Sequence, residues 1–196
     1  MPKGASGTET YSGVSGPVDA REMRLAEQRV MGIAANVLEN VIDRIPEIQP
    51  FLNLMEFNEA DITTPGVLGF YQTPSVGGET SRIVIGERAL SMSAGQRGHL
   101  AVPTLDGVIA HEIGHALSFH TQPGFRSVDR AINIAHQRHN RGNPDKSNKG
   151  DFVRSISNYA GSSAHEAFAE AFADWTVNGT NAARASQLII RSWQSR

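Results

Sequence analysis

The sequence predicts an α+β fold, mostly helical with a small β-sheet. Several stretches repeat apolar residues at three- and four-residue steps, the period of a helix with one buried face. Two short runs, VLGFYQ at residues 67–72 and RIVIG at 82–86, are apolar and sit near Gly, Pro or Ser, which reads as strands. The chain of 196 residues is 39% hydrophobic and 19% charged, the make-up of one globular domain that can bury a core without staples.

Taken in order, residues 1–17 are rich in Gly, Ser and Thr, end in Gly16-Pro17 and read as a flexible arm, leaving 18–196 as a single domain. Asp19 suits the N-cap of a long helix that Pro46 stops after Ile45. Leu25, Val30, Ile33, Val37, Leu38, Val41, Ile42 and Ile45 make its buried stripe. Residues 51–57 read as a short strand or helical turn, and Gly77-Gly78 as a turn between the strands at 67–72 and 82–86. Pro103 and Thr104 introduce a strongly apolar helix over 105–119. A helix is expected over 128–139 and an exposed loop over 140–150 (NRGNPDKSNKG). Ser162 or Ser163 caps a further helix running to Val177, and 182–193 forms the last.

Charge and composition exclude several classes. A net charge of -2 without a basic run argues against nucleic acid or an anionic membrane as the main partner. No apolar stretch approaches the roughly 20 residues of a membrane span. The opening MPKGASGTETYSG has no apolar core of a secretory signal, so the expectation is a cytoplasmic protein or one exported by another route. Cysteine is absent, which removes disulfides, thiolate nucleophiles and Cys-based zinc sites.

The chemistry is concentrated in AHEIGHALSFH, residues 110–120. On a helix, residues four apart share a face, so His111 and His115 can meet one metal ion through bonds of about 2.0–2.1 Å. Glu112 lies about 100° around the helix, beside the metal rather than on it, where it can take a proton from a metal-activated water. Gly114 removes a side chain next to the site, where something else must pack closely. A catalytic zinc needs a third protein ligand and an open position. His120 is rotated about 140° from His115 and fits only if the helix has ended. The longer HExxHxxGxxH pattern fails, with Ser118 in place of the Gly and Thr121 in place of the last His. Downstream, in SNYAGSSAHEAFAEAFADW (157–175), Glu166 and Glu170 stand four apart on a helix otherwise full of Ala and Phe. Carboxylates there need partners, and a metal plus an imidazole N–H would satisfy both. Phe168 and Phe172 read as core, and His165 falls off the Glu166/Glu170 face.

HEIGH, followed some fifty residues later by a Tyr and an E-x-F-A-E helix, resembles the zinc peptidase domain of anthrax lethal factor. The related Pro-Pro endopeptidases are similar. The resemblance implies a zincin-like (gluzincin-like) fold binding one Zn2+ through His111, His115 and Glu166, with Glu112 as general base. It implies that Glu170 supports the site from behind and that Tyr159 stabilises the oxyanion. It also implies an edge strand along the active-site cleft that pairs with an extended protein or peptide substrate. Arg82–Gly86 is the candidate, with Ile83, Val84 and Ile85 at its centre.

The expected activity is therefore that of a zinc-dependent endopeptidase. Two other readings compete with it: a catalytically idle structural or binding protein on a peptidase fold, phage- or secretion-associated, and a zinc hydrolase of a non-protein substrate. Retention of Glu112 favours an enzyme, since a structural brace needs no base and commonly uses four protein ligands. The arm and the resemblance together also fit a toxin-like or phage-encoded effector.

Overall fold

The computed structural model describes residues 20–49, 55–60, 68–72, 81–86, 89, 99–119, 124–141 and 145–195. The expected arm, the Gly77-Gly78 turn and His120 lie outside them. Among these residues, six helices, α1 (Ala20–Arg44), α2 (Leu105–Phe119), α3 (Val128–Arg141), α4 (Lys149–Arg154), α5 (Ala164–Asn178) and α6 (Arg184–Gln194), accompany three strands, β1 (Met55–Ala60), β2 (Gly69–Gln72) and β3 (Ser81–Gly86). This is the mostly helical α+β architecture the periodicities predict.

Packing centres on α2 and α5. Helix α2 is buried almost all round, as its near-continuous apolar run requires. Gly114 lets it cross α5 closely: a Cβ there would stand 2.8 Å from the Ala169 Cα and 3.2 Å from the Phe172 Cβ. On the far side, Phe168 and Phe172 pack against Trp193 of α6, with ring centroids 5.1 and 6.5 Å away. Val37 and Val41 of α1 and Ile45 just past its end are buried, with Ile33, Leu38 and Ile42 partly so, confirming the stripe over its described side chains. Arg44 at the end of α1 donates to the Trp175 carbonyl at 2.8 Å and lies 5.0 Å from the centroid of its indole.

Helix ends explain the remaining boundaries. Ser163, rather than Ser162, caps α5, its hydroxyl accepting from the Glu166 N–H at 3.1 Å. The N-cap of α6 is Ala183, which has no side-chain acceptor. Buried Asp174 replaces one from the preceding helix, accepting from the Ala183 N–H at 2.8 Å and the Ser186 hydroxyl at 2.6 Å. Residues 140–150, expected as loop alone, begin with the last turn of α3 and end in the start of α4, which Asn148 caps through the Asp151 N–H at 2.9 Å.

The sheet corrects one expectation. Its order is β1-β3-β2, with β1 parallel and β2 antiparallel to β3. Arg82–Gly86 is thus the middle of the sheet, paired on both sides, and Ile83, Val84 and Ile85 are buried core residues. A continuous Ile-Val-Ile run is what a strand covered on both faces carries; an edge strand facing a cleft alternates. The alternating strand is β2, with Phe70 and Gln72 exposed and Gly69 and Tyr71 half-buried against α2.

Candidate functional site

Helices α2 and α5 bring their polar groups together at the crossing that Gly114 permits. One Glu166 oxygen, Oε2, lies 3.2 Å from the His111 Nε2 and 3.2 Å from the His115 Nε2. That oxygen is buried and has no hydrogen-bond partner. Two donors held by one ion through bonds of about 2.0–2.1 Å at the tetrahedral angle stand about 3.3 Å apart, so the donor set fits a small divalent cation. Among the described residues, His111, His115 and Glu166 are the group able to hold one.

The other carboxylates lie where the spacing places them. Glu170, almost fully buried, holds the His111 Nδ1 at 2.8 Å through Oε1 and accepts the Ala101 N–H at 2.5 Å through Oε2. This contact leaves the His111 Nε2 facing Glu166 and fixes the ring. Glu112 is buried with Oε2 unpartnered. It faces β2: a Cβ on Gly69 would stand 3.2 Å from the Glu112 Cγ, and the Tyr71 backbone N–H hydrogen-bonds to its carboxylate. The Gly86 N–H donates to the Leu68 carbonyl at 2.7 Å, so in this antiparallel ladder the backbone groups of Gly69 and Tyr71 point away from β3. This outer edge of β2 therefore looks onto Glu112.

The charges interlock. Burial opposes charging of His111, but its contacts with Glu166 and Glu170 and the field of Glu112 override this and raise its pKa to about 10. Burial likewise opposes ionisation of Glu166, yet the two imidazoles hold its pKa at about 2. Burial pushes the Glu112 carboxyl above the usual range, against the lowering pull of His111, His115 and the Tyr71 N–H. A raised pKa suits a carboxylate that must hold a proton in transit. Tyr159 is carried by a 3₁₀ turn over Tyr159–Gly161, and its hydroxyl donates to the Glu166 Oε1 at 3.4 Å. Burial and Glu166 push this phenol up to about 12, keeping it a donor.

A cleft opens beside His111 and Glu112, with Leu68, Leu100, Val102 and Val108 as apolar walls and His99 and Tyr159 as aromatic ones. On the other side of the imidazole pair, exposed Phe119 stacks on His165 at 4.5 Å and on Tyr71 at 6.3 Å. His165 does not join the metal group; its Nδ1 lies 3.0 Å from the Ser118 hydroxyl.

The structure thus gathers His111, Glu112, His115, Tyr159, Glu166 and Glu170 at one place and leaves Ile83, Val84 and Ile85 outside it. Gly69, Tyr71, His99 and Ala101 are additions that sequence reasoning missed. Only the Gly and the alternation at 69–72 offered a signal, a strand that lets a neighbour approach closely. No family model, curated protein or solved structure matches the chain.

Proposed function

We propose that this protein is a zinc-dependent endopeptidase of zincin-like fold. The observation that carries the reading is the meeting of His111, His115 and Glu166 around one point, with buried Glu112 beside it, its Oε2 without a hydrogen-bond partner. Zinc bound there supplies Lewis acidity, acidifying a water and polarising a substrate carbonyl. Glu112 takes a proton from the attacking water at its free Oε2 and delivers it to the nitrogen of the departing amine. Tyr159 donates its hydroxyl proton where negative charge grows on the carbonyl oxygen, a transition-state interaction. Glu170 keeps the His111 ring turned toward the metal point. The outer edge of β2, rather than the central β3, borders the cleft along which an extended peptide would lie, its side chain entering between Leu100 and Val108.

The test is digestion of a broad peptide library by the zinc-loaded protein, with and without chelator. Cleavage that chelation stops and zinc restores is the expected result. Glu112→Gln should abolish cleavage while the zinc content stays at one ion per chain. A Glu112→Gln protein that cleaves at the wild-type rate would remove Glu112 as the base. A zinc-loaded wild-type protein that cleaves no peptide would overturn the peptidase reading.

A further inference from the structure

Two imidazoles neighbour the Tyr159 ring. Its ring centroid lies 6.0 Å from that of His111 and 5.3 Å from that of His99, tilted by 30° and 44°. The His99 carbonyl also accepts the Tyr159 backbone N–H at 3.1 Å. The chain around His99 is itself fixed. Ala101 donates to Glu170 at 2.5 Å, and Val102 fills the space that a Cβ on Gly107 of α2 would need. His99 is exposed, and its ring makes no hydrogen bond among the described residues. The contact its ring does make is with Tyr159.

We propose that His99 is a positioning residue that latches the Tyr159 ring. The need for a latch follows from the place of Tyr159. It stands on a short 3₁₀ turn, is only half-buried, and its hydroxyl reaches Glu166 through one long hydrogen bond of 3.4 Å. One such bond does not hold a two-torsion side chain in a single rotamer, whereas two neighbouring imidazoles and the backbone bond to the His99 carbonyl restrict how far the ring can turn. Without His99 one of the two ring contacts is gone, and the hydroxyl gains freedom to swing away from the carbonyl oxygen it must meet. What the hydroxyl does rests on the peptidase reading; the latch is a contact between two rings and does not.

The experiment uses the full chain labelled with 3-fluorotyrosine, with and without zinc. The three tyrosines give three fluorine environments, and Tyr159→Phe assigns that of Tyr159. His99→Ala should shift and narrow the Tyr159 resonance toward that of a freely turning ring, and leave the Tyr71 resonance in place. His99→Phe, which keeps a flat ring, should restore it. In peptide cleavage His99→Ala should lower kcat about tenfold, part of the roughly 10²–10³ lost with a whole oxyanion donor, with KM within about twofold. In the Tyr159→Phe background the same change should cost nothing further. A Tyr159 resonance unmoved by His99→Ala overturns the latch, as does an equal loss of kcat in the Tyr159→Phe background. If the wild-type protein cleaves nothing, the peptidase reading fails and the fluorine spectra alone decide the latch.

Discussion

At the scale of single residues, the proposed metal site sets up a contest between a proton and an ion for the same imidazole. With no ion bound, His111 holds its proton up to about pH 10, because Glu166 and Glu170 face its two nitrogens. Folding raises this pKa above the ordinary imidazole value of 6.5. The stabilisation it gives the metal-free fold is therefore complete below pH 6.5 and lost as pH climbs through about 10. A metal must displace that proton, since only neutral imidazole is a ligand. Zinc affinity should accordingly rise about tenfold per pH unit between pH 6.5 and 9. Competition with a chelator of known proton linkage measures the slope, and an affinity that stays flat across this range contradicts the proton count. The candidate group was legible in part in the sequence: helical spacing paired His111 with His115, and Glu166 and Glu170 stood out as acids on an apolar helix, while the choice of Glu166 to join the histidines came from the family resemblance. His99 and the Tyr71 amide were not legible. A backbone N–H carries no residue signature, and a ring contact between 99 and 159 leaves no periodic trace.

Helices and strands differ in how much of themselves they declare. The 3.6-residue stripe announced α1, α2 and α5 because each buries one face or all faces against neighbours. Strand order was hidden, since pairing partners are chosen by contacts between distant segments. The Ile-Val-Ile run did hold the clue that β3 is central. The start of α6 was hidden for a similar reason: its cap is Asp174, nine residues upstream. The crossing of α2 and α5 is the element-level feature on which the metal point depends, because it sets the gap between His111, His115 and Glu166. Gly114→Ala tests it. Alanine favours a helix over glycine by about 1 kcal/mol. Against this, its Cβ would stand 2.8 Å from the Ala169 Cα, a backbone atom that cannot rotate aside. Overpacking of this kind costs about 1–3 kcal/mol, so the clash should win. The urea midpoint should fall, and zinc affinity with it as the helices move apart. A variant more stable than wild type with unchanged zinc affinity would show that the crossing has slack.

For the whole molecule, zinc bound at the proposed site would act as a cross-link between two parts of the chain some fifty residues apart, α2 and α5, which also form the centre of the core. Without it, Glu112, Glu166 and Glu170 crowd two imidazoles in a largely water-excluded space, and protons must balance the charge. A bound ion replaces those protons and ties both helices at once. Any ligand that binds the folded state alone stabilises it by mass action, by about 2.7 kcal/mol at a free concentration one hundred times its Kd. For a domain of this size that corresponds to a rise in Tm of about 5–10 °C. Calorimetry of the chelator-treated protein, before and after zinc is restored, should show this rise. Glu112→Gln should show it too, since Glu112 stands beside the ligands rather than among them. Glu166→Ala should lose most of it, and Glu170→Ala less, because Glu170 touches the metal point only through the His111 ring. Three outcomes are thus tied to three positions on two helices. A rise that survives Glu166→Ala at full size would mean that zinc binds elsewhere, and the hydrolytic chemistry assigned to this cleft would have no metal to start it.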